Sequence, residues 1–421
     1  MNNTFIFLAF FFIYFLLIWK AGKTYPIVYL FLFTYFLQYL FSTYLIYNDY
    51  AVLRRQMEIS QERYFDYAIP ALLSLFTGLF IFNKDVDIKQ SLERIDPGQA
   101  ARLGYLLLLI SFSFDVIGVL LPALSSLLSF TSYLKYLAAF CFLFTHSKFN
   151  YVLIVFIFSQ LGIQVLTGGV FIDLFIWCTY LFFFISLKFQ FNLLLRFTFI
   201  LIAAPVLFFV QSVKTEYRAA TWVKSREAGL DLFVELAGKQ RQQDLNKPFS
   251  QSYAVVSTIG RLTQGWHLGL TLKQVPAKVP FAEGEDMLTD ISSSILPRVI
   301  FTDKKIVGSQ DKFNKYTGHK LRGNTSMTIG ILGDFYINFG FWGSMIMLFV
   351  FGAMIARLLY YFLIYYVLTD PINIIWVPYM LSYLIRANND FYMVFNSITK
   401  GFLIFLFINF VRKKLWPTMY V

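Results

Sequence analysis

Apolar runs long enough to cross a lipid bilayer recur along the whole chain, and no other feature of the sequence constrains the fold so tightly. A helix needs roughly 20 apolar residues to traverse the ~30 Å hydrocarbon core. Eight such runs precede residue 214, near Thr4–Trp19, Pro26–Tyr47, Tyr67–Phe82, Leu103–Leu121, Tyr133–Thr145, Tyr151–Leu166, Val170–Leu187 and Leu193–Val213. A polar stretch, Lys214–Met327, intervenes, and three more runs follow near Thr328–Ala356, Ile372–Ile385 and Phe391–Val411. The runs starting at Tyr133 and Ile372 are short, and Leu358–Leu368 either extends the ninth or forms its own helix. Soluble domains carry about 25% charged residues; here 14% are charged and 58% hydrophobic, too little polar surface to coat a globule. The expected fold is an all-α integral membrane bundle of about eleven spans. It divides into an N-terminal bundle (1–213), a large loop (214–327) and C-terminal spans (328–421).

Charge gives the expected sides. Short loops of one set hold thirteen Lys and Arg residues, among them Lys20, Lys84, Arg102, Lys188 and Arg412, against five in the opposite set. The positive-inside rule puts the first set in the cytoplasm, and with it the C-terminus. The 114-residue loop Lys214–Met327 is then extracytoplasmic, as is the N-terminus, whose MNNTFIFLAF reads as a retained first span. The +12 net charge belongs to span ends and anionic lipid rather than to nucleic acid. Cys141 and Cys178 both lie inside apolar runs, so neither a disulfide framework nor a thiolate metal site is available. There is no GxxxxGK[ST], HExxH or CxxC, and the three histidines are far apart in sequence.

The loop is the hydrophilic piece large enough to form a site. In Ala219–Gln243, Trp222, Leu230, Phe233, Val234 and Ala237 are spaced along one helical side. In Ser252–Leu268, Val255, Ile259, Leu262 and Trp266 project as one apolar stripe, with Arg261, Gln264 and His267 on the opposite face. Cations gather at the outer ends of spans: Lys214 and Arg218 in VKTEYR, Arg298, Lys304 and Lys305 in ILPRVIFTDKK, and Arg386 in LIRANNDFY. Arg at span ends commonly snorkels to ordinary lipid phosphate. A gathered set of guanidiniums instead suits a lipid-linked phosphate or diphosphate, whose oxygens match the planar fork of donors. Asp115, Asp173 and Lys400 fall inside apolar runs, where they serve function or pair with one another.

From VQSVKTEYR onward the order of segments resembles a known family. RLTQGWHLGLTL, ILPRVIFTDKK, TSMTIGILGDFYINFGFWG and the Arg386 segment follow in the sequence seen in bacterial oligosaccharide repeat-unit polymerases, the Wzy-type O-antigen polymerases. The resemblance covers roughly residues 205–400. It implies a helical membrane fold of the GT-C kind in the bacterial inner membrane, with the large loop periplasmic. It implies transfer of a growing glycan from undecaprenyl diphosphate onto a repeat unit on a second carrier, with membrane lipid and a chain-length regulator as further candidate partners. No metal, nucleotide or other cofactor is implied, because the diphosphate is itself the leaving group.

On that resemblance, Lys214, Arg218, Arg298, Lys304 and Arg386 are expected to bind the donor, with charge aimed at the leaving oxygens. Arg261 and His267 would orient or activate the acceptor, and Asp334 is either a base or a cap. Gly330, Gly333, Gly340 and Gly343 would allow close helix packing. An O-antigen ligase or another GT-C glycosyltransferase is the nearest alternative, and a lipid-linked oligosaccharide flippase the alternative from another class.

Overall fold

A computed structural model describes residues 3–48, 56–84, 86–120, 130–168, 172–223, 226–244, 253–295, 310–321, 323 and 325–416. Helices and turns build it, with no strand among the described residues. The first part comprises α1 (Asn3–Lys20), α2 (Ile27–Asn48), α3 (Gln61–Phe82), α4 (Pro97–Leu120), α5 (Leu134–Leu143), α6 (Lys148–Gly168), α7 (Ile172–Lys188) and α8 (Leu193–Arg218). The loop contributes α9 (Leu230–Asp244), α10 (Tyr253–Leu262), α11 (Gly265–Gln274), α12 (Glu285–Ile295) and α13 (Gln310–Thr317). The chain closes with α14 (Ile331–Val367), α15 (Trp376–Leu381) and α16 (Phe391–Leu415). Six helices among the described residues, α2, α3, α4, α6, α14 and α16, are long and apolar enough to cross a membrane. The protein is a helical membrane protein.

Local chemistry sets several boundaries. The Ser60 hydroxyl accepts the Arg63 N–H at 3.3 Å, starting α3 six residues before the apolar run does. Asp96 accepts the Gln99 N–H at 2.8 Å and Pro97 opens α4, a pairing of cap and fixed φ that favours a helix start. At the opposite end of α1, Arg196 donates to the Ile18 and Trp19 carbonyls at 3.2 and 3.1 Å, satisfying helix-end acceptors that hydrocarbon would leave bare.

The two short runs do not form full-length helices. Helix α5 has ten residues, all buried, and rises about 15 Å, half the hydrocarbon thickness. The Ile372 run becomes a 3-10 turn, Pro371–Ile375, with Pro371 at its start, followed by the six-residue α15, whose first turn holds Pro378. By contrast Leu358–Leu368 joins the ninth run, giving the 37-residue α14.

The tightest helix pair is α3 against α14. A Cβ built at Gly78 would overlap the Phe349 carbonyl oxygen, and one at Gly352 would overlap the Leu75 carbonyl, so the two backbones touch where side chains are missing. These glycines lie outside the motif expected to pack. Within that motif, Gly340 does something else: its φ of 66° and ψ of −164° break α14 into two offset segments.

Two of the charges inside apolar runs form ion pairs and the third lies against an aromatic ring. Asp115 accepts from Ser132 and meets Lys135 at 3.3 Å, Asp173 meets Arg386 at 2.7 Å, and the Lys400 ammonium lies 5.1 Å from the Phe130 ring. Helix α9 buries Phe233, Leu236, Ala237 and Gln240, while Leu230 and Val234 face outward. The expected stripe is thus rotated, because Ala219–Val223 and Leu230–Asp244 are separate helical elements and not one continuous helix.

Candidate functional site

Helix α8 continues past its apolar run, so Lys214 and Arg218 ride on its last turns, and α10 packs alongside it carrying Arg261. Burial, then the charges of Arg218 and Arg261, push the Lys214 ammonium down to about 7. Burial and then Arg261 also lower Arg218. Each cation feels the others, which gathers positive charge at the end of α8. Three of the residues singled out in sequence therefore converge, although they come from two motifs more than forty residues apart.

His267 requires a correction. One continuous helix over Ser252–Leu268 would have turned it to water beside Arg261. The helix instead stops at Leu262 and restarts at Gly265. The Gln264 N–H donates to the Gln38 carbonyl at 2.9 Å, within a π-helical turn of α2. The Thr263 and Thr43 hydroxyls lie 3.0 Å apart, and the Gly265 N–H donates back to Thr263 at 3.0 Å. These contacts with α2 replace the helical hydrogen bonds at the junction, so a wheel drawn across it fails. His267 ends up buried, its ring 5.5 Å from Phe313 and 5.3 Å from Trp266, which in turn lies 5.2 Å from His319.

One expected neighbour of His267 remains. Its Nδ1 lies 2.8 Å from the Gln264 side-chain oxygen, an atom that only accepts. Nδ1 therefore carries a hydrogen, and in the neutral ring Nε2 then carries the lone pair needed by a base.

Asp334 lies fully buried, and both of its oxygens are engaged. Oδ2 accepts the Phe391 N–H at 3.0 Å at the start of α16, and Oδ1 meets the Lys312 ammonium at 2.6 Å. Lys312 also meets Asp290 at 3.3 Å. Burial opposes the charge on Lys312, but Asp334, Asp290 and Asp390 outweigh it and hold the ammonium above the ordinary lysine range. Asp390 caps α16 by accepting the Met393 N–H at 3.0 Å, and burial pushes it up to about 6, against the opposing pull of Lys312. Asp334 therefore serves as the cap of a neighbouring helix and as one arm of a buried ion network.

Sequence reasoning missed Lys312 and Asp290. A signal existed in QDKFNKYT, where Phe313 and Tyr316 sit at helical spacing and bury that face, drawing Lys312 in with them.

Arg386 stands apart from the α8–α10 cations. It bonds Asp173 and lies 5.1 Å from the Tyr383 ring, so its charge is already partnered. Arg298 and Lys304 lie outside the described residues. No protein-family model, curated protein or solved structure matches the chain.

Proposed function

We propose that the protein polymerises lipid-linked oligosaccharide repeat units on the outer face of the bacterial inner membrane, as a glycosyltransferase of about eleven spans and GT-C type. The observation that carries this reading is the convergence of Lys214, Arg218 and Arg261 at the end of α8. A diphosphate has oxygens enough to accept charge-assisted hydrogen bonds from all three of these side chains at once. The same charges stabilise the negative charge that develops on the diphosphate as the glycosyl bond breaks, so the reaction needs no metal. His267, with Nε2 as its lone-pair nitrogen, accepts the proton of the acceptor hydroxyl. Undecaprenyl diphosphate is the carrier for both donor and acceptor, the large loop is periplasmic, and a chain-length regulator would act from outside the site.

The test is a reconstitution of the full chain in nanodiscs with the producing cell's own lipid-linked repeat units, with EDTA present. Wild type should give a ladder of polymer. Arg218→Ala and Arg261→Ala should each lose about ten- to a hundredfold in rate, the equivalent of one charge-assisted bond of ~1.5–3 kcal/mol. Absence of a ladder from folded wild type, or a ladder indifferent to both substitutions, defeats the proposal. Transfer to lipid A core in place of a second repeat unit would identify a ligase.

A further inference from the structure

A cleft of about 370 Å³ opens between the start of α3, the end of α11 and the Gly340 break of α14. Three aromatic residues, Tyr67, Tyr336 and Phe341, and three charged ones, Glu62, Arg63 and Asp66, contribute to its lining. The aromatic wall is fixed. The Tyr67 hydroxyl donates to the Leu332 carbonyl at 2.8 Å, the Tyr336 hydroxyl to the Val275 carbonyl at 3.3 Å, and the Tyr67 and Tyr336 rings pack edge to face at 4.9 Å. Phe341 follows the break at Gly340, lies 5.9 Å from the Tyr67 ring, and is 36% exposed at the mouth. With their hydroxyls anchored, the rings present apolar surface to whatever enters.

The polar side has a different character. Arg63 donates one guanidinium bond, to the Leu272 carbonyl at 2.7 Å, and keeps further donors for a ligand. Glu62 and Asp66 are exposed. Asp66 lies on the second turn of α3, just before its apolar run begins at Tyr67, where an exposed carboxylate is open to water or a ligand. Two carboxylates against one guanidinium give this wall a negative balance, opposite in sign to the Lys214, Arg218 and Arg261 cluster. A phosphate is repelled here, whereas a ring rich in hydroxyls finds acceptors, a forked donor and an apolar face together.

We infer that this cleft is a sugar-ring subsite, holding a pyranose of the repeat-unit glycan against Phe341 and Tyr336 with its hydroxyls on Asp66, Glu62 and Arg63. The inference rests on the polymerase reading for the identity of the glycan. Leu272 and His267 share α11, five residues or about 7.5 Å apart along its axis, roughly the reach of one sugar residue.

The test separates binding from turnover. The probe is the phosphate-free oligosaccharide released by acid from the producing cell's surface polysaccharide, titrated onto the full chain in nanodiscs and followed by saturation-transfer NMR. Wild type should show saturation of the sugar ring protons. Phe341→Leu, which keeps apolar volume but removes the ring, and Asp66→Asn, which keeps shape but removes charge, should each weaken binding at least fivefold. Phe341→Tyr should restore it, and inorganic pyrophosphate binding should be unchanged in all three. No saturation with wild type, or equal affinity in Phe341→Leu and Asp66→Asn, overturns the subsite. Failure of the polymerase reading appears elsewhere, as a missing ladder in reconstitution, because the NMR measurement needs no turnover.

Discussion

Lys214 has a pH consequence whose sign can be worked out. Burial and the neighbouring arginines bring its ammonium down to about 7, from 10.5 in an unfolded chain. Between those values the unfolded chain binds a proton that the folded chain lacks, so stability rises with pH across that window. Anion binding runs the other way. Below pH 7 Lys214 adds its charge to the site and above pH 7 it does not, so pyrophosphate affinity should fall as pH rises from 6 to 8. Lys214→Arg keeps its charge throughout. Calorimetric titration of both proteins across that range should show the steeper fall in wild type, and taking the difference removes pyrophosphate's own protonation. Parallel profiles would show that Lys214 does not face the anion.

Among the elements, the α3–α14 pair has the least room for change. Gly78→Leu would drive a side chain into the Phe349 carbonyl, and Gly352→Leu into the Leu75 carbonyl. Overpacking of this kind typically costs ~1–3 kcal/mol, and here the obstacle is backbone and cannot swing aside. Both variants should unfold at lower temperature in detergent, whereas Gly162→Ala, with nothing within 4 Å of the added carbon, should hold or gain stability. Apolar length made most of this architecture legible beforehand, and it failed where length misleads. The runs starting at Tyr133 and Ile372 are apolar because they are buried in protein, as the buried side chains of α5 and α15 show. The cationic site was half legible. VKTEYR marks a helix end by its charges, but the break at Thr263–Gln264 comes from tertiary bonds to Gln38 and Thr43, which periodicity within the segment cannot carry. The Lys312 network was hidden because Asp290 and Lys312 each sit in a short helix where a lone charge resembles a solvated face.

For the molecule as a whole, Lys312 ties the loop helices to the ends of two spans, since Asp290 belongs to α12, Asp334 to α14 and Asp390 to the cap of α16. Lys312→Met would leave these buried carboxylates without their cation, a loss of ~3–5 kcal/mol when one member of a buried pair is removed. Limited proteolysis should then cut within Gln310–Thr317, and adding Asp334→Asn and Asp290→Asn should restore much of the resistance; unaltered resistance in Lys312→Met would show that packing alone holds the loop. The ten-residue α5 bears on how the chain is built. A segment that short, carrying Lys135, has no stable place of its own in hydrocarbon. Asp115 of α4 supplies the neutralising partner and Ser132 a further bond, so α5 enters the membrane as a passenger of the helix before it. Helices α4 and α5 are therefore expected to settle into the membrane together, and not one after the other.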